Sequence, residues 1–236
     1  MSAVVFAETV RRHLTSAGYL AFLAFIAITG IFVATFRTPG ALWPSLISAL
    51  AIVTGSAIVG PEFTTGALQL IVSKPVARHA YVLGRVAGVW AATGLAAAIA
   101  LFAEVLTRLM IGAPLSLPRL LEIFTSELIV ALLAIAFLTL LGSVTVSYFN
   151  VAIYLGLQFA FFISESITGA IRVRNAFIAA HPGILQSLVA IDDTLFPSVP
   201  PELTVAWMLR NGALIFVALS LACLAFQRRE VPYGSD

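Results

Sequence analysis

The sequence predicts an all-α integral membrane protein, and three observations carry that prediction. Of 236 residues, 61% are hydrophobic and only 10% charged, against about 25% charged in a soluble domain, so a water-exposed surface cannot be built from them. The mean hydropathy of +1.05 points the same way. The apolar residues come in continuous runs near spanning length, without period-two alternation, which argues for helices and against a barrel. Many of the 16 Gly and 11 Pro fall inside those runs, a habit of membrane helices.

A helix needs about 20 mainly apolar residues to cross roughly 30 Å of hydrocarbon. Six windows qualify, near 19–36, 41–60, 86–110, 122–147, 150–167 and 203–226, and together they make residues 1–236 a single transmembrane domain. The first run follows Arg11, Arg12 and His13, the flank of a signal peptide. It exceeds the roughly 7–15 residues of a signal h-region and lacks a clean cleavage pattern, so it reads as a retained span.

Six spans place both termini on one side. With the termini cytoplasmic, the inner segments hold Arg11, Arg12, Lys74, Arg78, Arg85, Arg228 and Arg229; the outer ones hold Arg37, Arg108, Arg119, Arg172 and Arg174, and Arg210 lies within the sixth window. Seven against five is a modest positive-inside bias that favours cytoplasmic termini. The net charge of +2 gives no reason to expect nucleic acid as a partner. Cys223 is the single cysteine, so no intrachain disulfide forms, and within an apolar run it reads as a small hydrophobe.

Two connections are long, 61–85 and 168–202, and on this topology they lie on opposite faces of the membrane. The first reads PEFTTGALQLIVSKPVARHAYVLGR. Pro61 suits a first helical position and Glu62 meets the positive end of the helix dipole, while Pro75 stops the helix. Phe63, Ala67, Leu70 and Ile71 form one apolar stripe, with Glu62, Thr65, Gly66, Gln69 and Ser73 opposite. Such a helix is about 20 Å long, too short to span but suited to the interface. Read from the residues alone, it either anchors a loop without a partner or presents its polar face to one. Gly84 and Gly88 follow at the GxxxG spacing that lets helices approach closely.

The pattern Glu62, Gly66, Leu68-Gln69-Leu70-Ile71, Ser73-Lys74-Pro75, Arg78 and Gly84-Arg85 resembles the cytoplasmic connection between spans two and three in membrane subunits of type-2 ABC exporters. The pattern departs in Arg85, where Lys is commoner, and in Ala67-Leu68, where Thr-Leu is commoner. The span count and the long outer segment before the last span agree with the same family. The resemblance implies a coupling helix docked on a separate ATP-hydrolysing subunit through Glu62, Gly66, Gln69, Ser73, Lys74, Pro75, Arg78 and Arg85. It also implies an N-terminal amphipathic elbow over 1–18, a second permease subunit, identical or homologous, and ATP with Mg on the partner chain. The chain itself has no G-x-x-x-x-G-K-[ST] loop.

Other candidates are intramembrane polar groups, which are functional hypotheses by default. Glu104 and Arg108, four apart, and Glu127 read either as charges sharing the interface or as a gate; Gln158, Ser164 and Glu165 could line a path. The outer segment 168–202 reads as short interfacial or re-entrant helices capping the bundle. Its His181, Asp192 and Asp193 match no metal-site spacing, so no metal is expected. Without HExxH or GxSG motifs, no enzymatic chemistry is expected in this chain. The rival to the exporter is a six-span secondary transporter or channel using Glu104, Arg108 and Glu127, with no ATPase.

Overall fold

A computed structural model of the chain describes residues 2–36, 43–59, 77–145, 148–172 and 203–228. Every regular element among them is a helix: α1 Ala3–Leu14, α2 Ala17–Phe36, α3 Trp43–Ser56, α4 Arg78–Met110, α5 Leu117–Val144, α6 Phe149–Arg172 and α7 Val205–Arg228. Four of them, α2, α4, α5 and α7, are long and apolar enough to cross a membrane. The described part of α3 and the apolar stretch Phe149–Ala160 of α6 are shorter. The expected interfacial helix over 61–75 and residues 173–202 of the expected outer segment 168–202 lie outside the described residues, while 168–172 continue α6.

Helix α4 differs from the expectation at its start. The sequence reading ends the connection at Arg85, but the helix begins at Arg78, immediately after the extended Ala77. Two neighbours make those extra turns worthwhile. Tyr81 and Val82 are buried, with the Tyr81 ring stacked near Phe226 of α7 at 6.3 Å between centroids, and α1 covers the glycine face. At 33 residues, α4 is roughly 50 Å long and outreaches the hydrocarbon layer. Its far end closes on Gly112, whose φ of 63° favours glycine, with Ala113 N–H bonded to Arg108 O at 2.9 Å. Pro118 then occupies the first turn of α5, where its missing N–H costs nothing.

Helices α4 and α5 form the centre: α2, α3 and α1 pack on α4, while α3, α6 and α7 pack on α5. Buried alanines of α4 (Ala92, Ala96, Ala97, Ala100) let neighbours come close, as small residues do where apolar burial gives no driving force. Side chains then pin the helices through main-chain carbonyls. Tyr19 Oη donates to Ala92 O at 2.6 Å, and Trp90 Nε1 to Leu128 O at 2.9 Å. Asn150, fully buried, donates to Ser56 O at 3.0 Å and to Leu138 O at 3.3 Å, joining α3, α5 and α6 at one end.

The same end carries α1. Ser2 caps it, its hydroxyl accepting from Val5 N–H, and Arg11, Arg12 and His13 sit in the last turn, where they suit the dipole. The GxxxG pair of α4 has α1 as its partner. A Cβ on Gly84 would lie 3.1 Å from Ser2 O and from Val5, and one on Gly88 would lie 2.6 Å from Thr9 Cβ and 3.2 Å from Phe6 O. Gly88→Leu is therefore expected to ease detachment of α1 by about 1–3 kcal/mol, the usual cost of overpacking. Amide exchange should quicken across Ala3–Leu14 and stay unchanged across Leu117–Val144.

Candidate functional site

Two buried carboxyl groups flank α3 on opposite neighbours. Glu104 of α4 and Glu127 of α5 are each only 1% exposed. The i,i+4 spacing of Glu104 and Arg108 forms the ion pair that helical geometry allows, with Arg108 Nη2 at 2.8 Å and Nε at 2.9 Å from Glu104 Oε1. The other carboxylate oxygen accepts from Trp43 Nε1 at 2.8 Å. Arg108 Nη1 continues to Pro114 O at 3.1 Å, tying the α4–α5 turn into the group. Glu104 is thus satisfied on both oxygens, and the unit clamps the start of α3 to the far part of α4.

Glu127 is placed differently. It lies ten residues after Leu117, roughly 15 Å along the helix, and Ser48 Oγ donates to its Oε1 at 2.6 Å. No cation pairs with it among the described residues. A carboxyl so held can exchange a proton or hydrogen-bond a passing polar group without a fixed counter-charge. No hydrogen bond or ion pair links Glu127 to the Glu104–Arg108 pair among the described residues. Gln158 is exposed on α6, and the side chain of Glu165 lies outside the described ones.

Of the residues assigned to coupling, Glu62, Gly66, Gln69, Ser73, Lys74 and Pro75 lie outside the described residues. The remaining two are found inside the bundle's own bonding. Arg78 Nη1 donates to Gln227 O of α7 at 3.1 Å. Arg85 Nη2 donates to Ala57 O, just beyond α3, at 3.2 Å. These bonds bring the exit of α3, the start of α4 and the end of α7 to the end that carries α1, where Ser2 N–H also meets Ala80 O at 3.2 Å. The connection that includes 60–76 leaves and rejoins the bundle at this one end.

Trp43 and Ser48 escaped the sequence reading, as did Asn150 and Asn211, both fully buried. Asn211 Nδ2 donates to Trp207 O at 2.8 Å. The legible signal was a polar group inside an apolar run, which Ser48, Asn150 and Asn211 all give; Trp43 gives none, because its indole is polar at one atom only. His181, Asp192 and Asp193 lie outside the described residues, and among those described no three His, Cys, Asp or Glu side chains gather as metal ligands would. Compared with models of known protein families and with curated proteins, the chain matches none.

Proposed function

We propose that this chain is the permease subunit of an ATP-driven exporter of the type-2 ABC kind, with six spans, cytoplasmic termini and a place in the cell's inner membrane. The observation that carries the reading is the ordered run Glu62, Gly66, Ser73-Lys74-Pro75, Arg78 and Gly84-Arg85 between two apolar helices. The geometry gives it support: the connection starts and finishes at the end bearing α1 and the close of α7, where one soluble subunit could reach all of them. In this reading 61–75 is the coupling helix, a second permease subunit completes the pathway, and ATP and Mg sit on separate ATPase chains.

ATP drives such a machine only through its different affinity for two states of the assembly. Closure of the ATPase pair would draw the coupling helices together. The pull would reach the membrane through the first turns of α4, which Arg78 and Arg85 bond to α7 and to the residue after α3. Transported substrates would pass between the two six-helix halves.

A six-span secondary transporter or channel is the second reading, and Glu127 is the observation that favours it, being buried without a paired cation among the described residues. One experiment separates the two. The tagged chain is purified from its own membrane, and the co-purified ATPase is assayed in liposomes with and without nucleotide. The exporter reading expects a bound ATPase, and Glu62→Lys should cut its turnover in the complex by about tenfold, within the usual range of coupling energies, at unchanged membrane insertion. Nucleotide-independent transport by liposomes holding this chain alone would overturn it in favour of the second reading.

A further inference from the structure

We infer that the α1 end of the bundle holds a binding site for an anionic phospholipid, independent of whether an ATPase drives the protein. A cavity of about 830 Å³ opens there between α1, α2, α3 and α4. Its described lining divides by chemistry. Arg12, His13 and Arg85 line it, and no acidic residue does among the described ones, while Phe22, Leu50 and Val53 supply apolar wall. The volume falls in the range of roughly 300–1,000 Å³ typical of sites for small organic molecules. It is far more than a lone phosphate needs.

The two arginines of α1 divide between an internal ion pair and the cavity. Arg11, the neighbour of Arg12, is spent on Glu8, with Nε at 2.9 Å from Oε2 and Nη2 at 2.9 Å from Oε1, and this hydrogen bond holds the Glu8 carboxyl below its ordinary range. Arg12 forms no ion pair among the described residues and borders the cavity instead. His13 Nδ1 lies 2.8 Å from Thr9 O; a carbonyl only accepts, so this nitrogen carries the hydrogen, and Nε2 donates to a phosphate only when the ring is protonated. Arg85 of α4 borders the cavity half-buried, with Nη2 bonded to Ala57 O and a further partner besides.

An amphiphile with a negative head and an apolar tail satisfies both halves of this lining. In a bilayer the ligand of that chemistry within reach is an anionic phospholipid, its phosphate on Arg12 beside His13 and part of an acyl chain along Phe22, Leu50 and Val53. Basic side chains near a membrane surface favour such lipids by about 1 kcal/mol each, which corresponds to about fivefold in occupancy per charge.

The test uses the full chain, delipidated in a neutral detergent and titrated with phosphatidylglycerol or phosphatidylcholine of matched acyl chains, with retained lipid counted by mass spectrometry. Preferential retention of phosphatidylglycerol is expected, weakened about fivefold by Arg12→Gln and unchanged by Arg11→Gln, whose charge is already engaged. Val53→Trp, at a position 67% exposed, should narrow the cavity and reduce retention of either lipid without disturbing the fold. Equal retention of the two lipids, or equal losses in the Arg11 and Arg12 variants, would overturn the site in favour of general attraction to a basic helix. Displacement of phosphatidylglycerol by millimolar inorganic phosphate would overturn it in favour of a simple anion site.

Discussion

Glu104→Ala is expected to destabilise the bundle by about 3–5 kcal/mol, the scale of losing one partner from a buried ion pair. Two groups would be stranded together. Trp43, fully buried, would lose the acceptor for its indole N–H, and Arg108 would lose the carboxylate one turn back. Glu104→Gln should cost less, because an amide oxygen can still accept from Trp43 while the charge is gone. Unfolding in mixed micelles, followed by tryptophan emission, measures both variants. A Glu104→Ala protein as stable as the parent would show that Trp43 and Arg108 find other partners, and the clamp would lose its assigned role.

Gly30→Leu comes second, with an expected loss of about 3 kcal/mol or more, at the top of the range for overpacking. A Cβ at Gly30 would lie 2.6 Å from Ala100 O, 3.3 Å from Ala103 Cβ and 3.3 Å from Glu104 N. None of these atoms is the end of a flexible side chain, so α2 and α4 must part, and the disturbance reaches the residue that holds Trp43. Gly212→Ala is the matched control. Nothing lies within 4 Å of a Cβ there, and alanine favours a helix interior over glycine by about 1 kcal/mol. If the two substitutions had equal effects in the same unfolding assay, the close approach of α2 to α4 would carry no energetic weight.

Hydropathy made the helices legible because burial and lipid contact both select apolar residues, and four long apolar helices follow that pattern. The Glu104–Arg108 pair was legible because its spacing is local. Its third member was not. Trp43 precedes Glu104 by 61 positions, and the approach of α3 to α4 depends on packing that no short pattern encodes. The same holds for Ser48 and Glu127, 79 positions apart. Helix α4 runs back past its apolar window to Arg78 because contacts with α1 and α7 hold its first turns, and no short pattern encodes those contacts. Gly84 and Gly88 announced a close helix contact but not its partner, which proved to be the short N-terminal helix.

The two buried carboxyls also differ in when their partners become available as the protein is made. Arg108 emerges from the ribosome only four residues after Glu104, on the same helix, so this acid can enter the bilayer already neutralised, whatever its neighbours are doing. Glu127 has no such companion on its own helix; the hydroxyl that meets it belongs to α3, synthesised earlier. A lone acid near the middle of a spanning helix costs roughly 2.5–3.5 kcal/mol on insertion scales. Helix α5 therefore gains from being delivered against a preceding hairpin rather than into open lipid, and the order of the chain supplies that hairpin first.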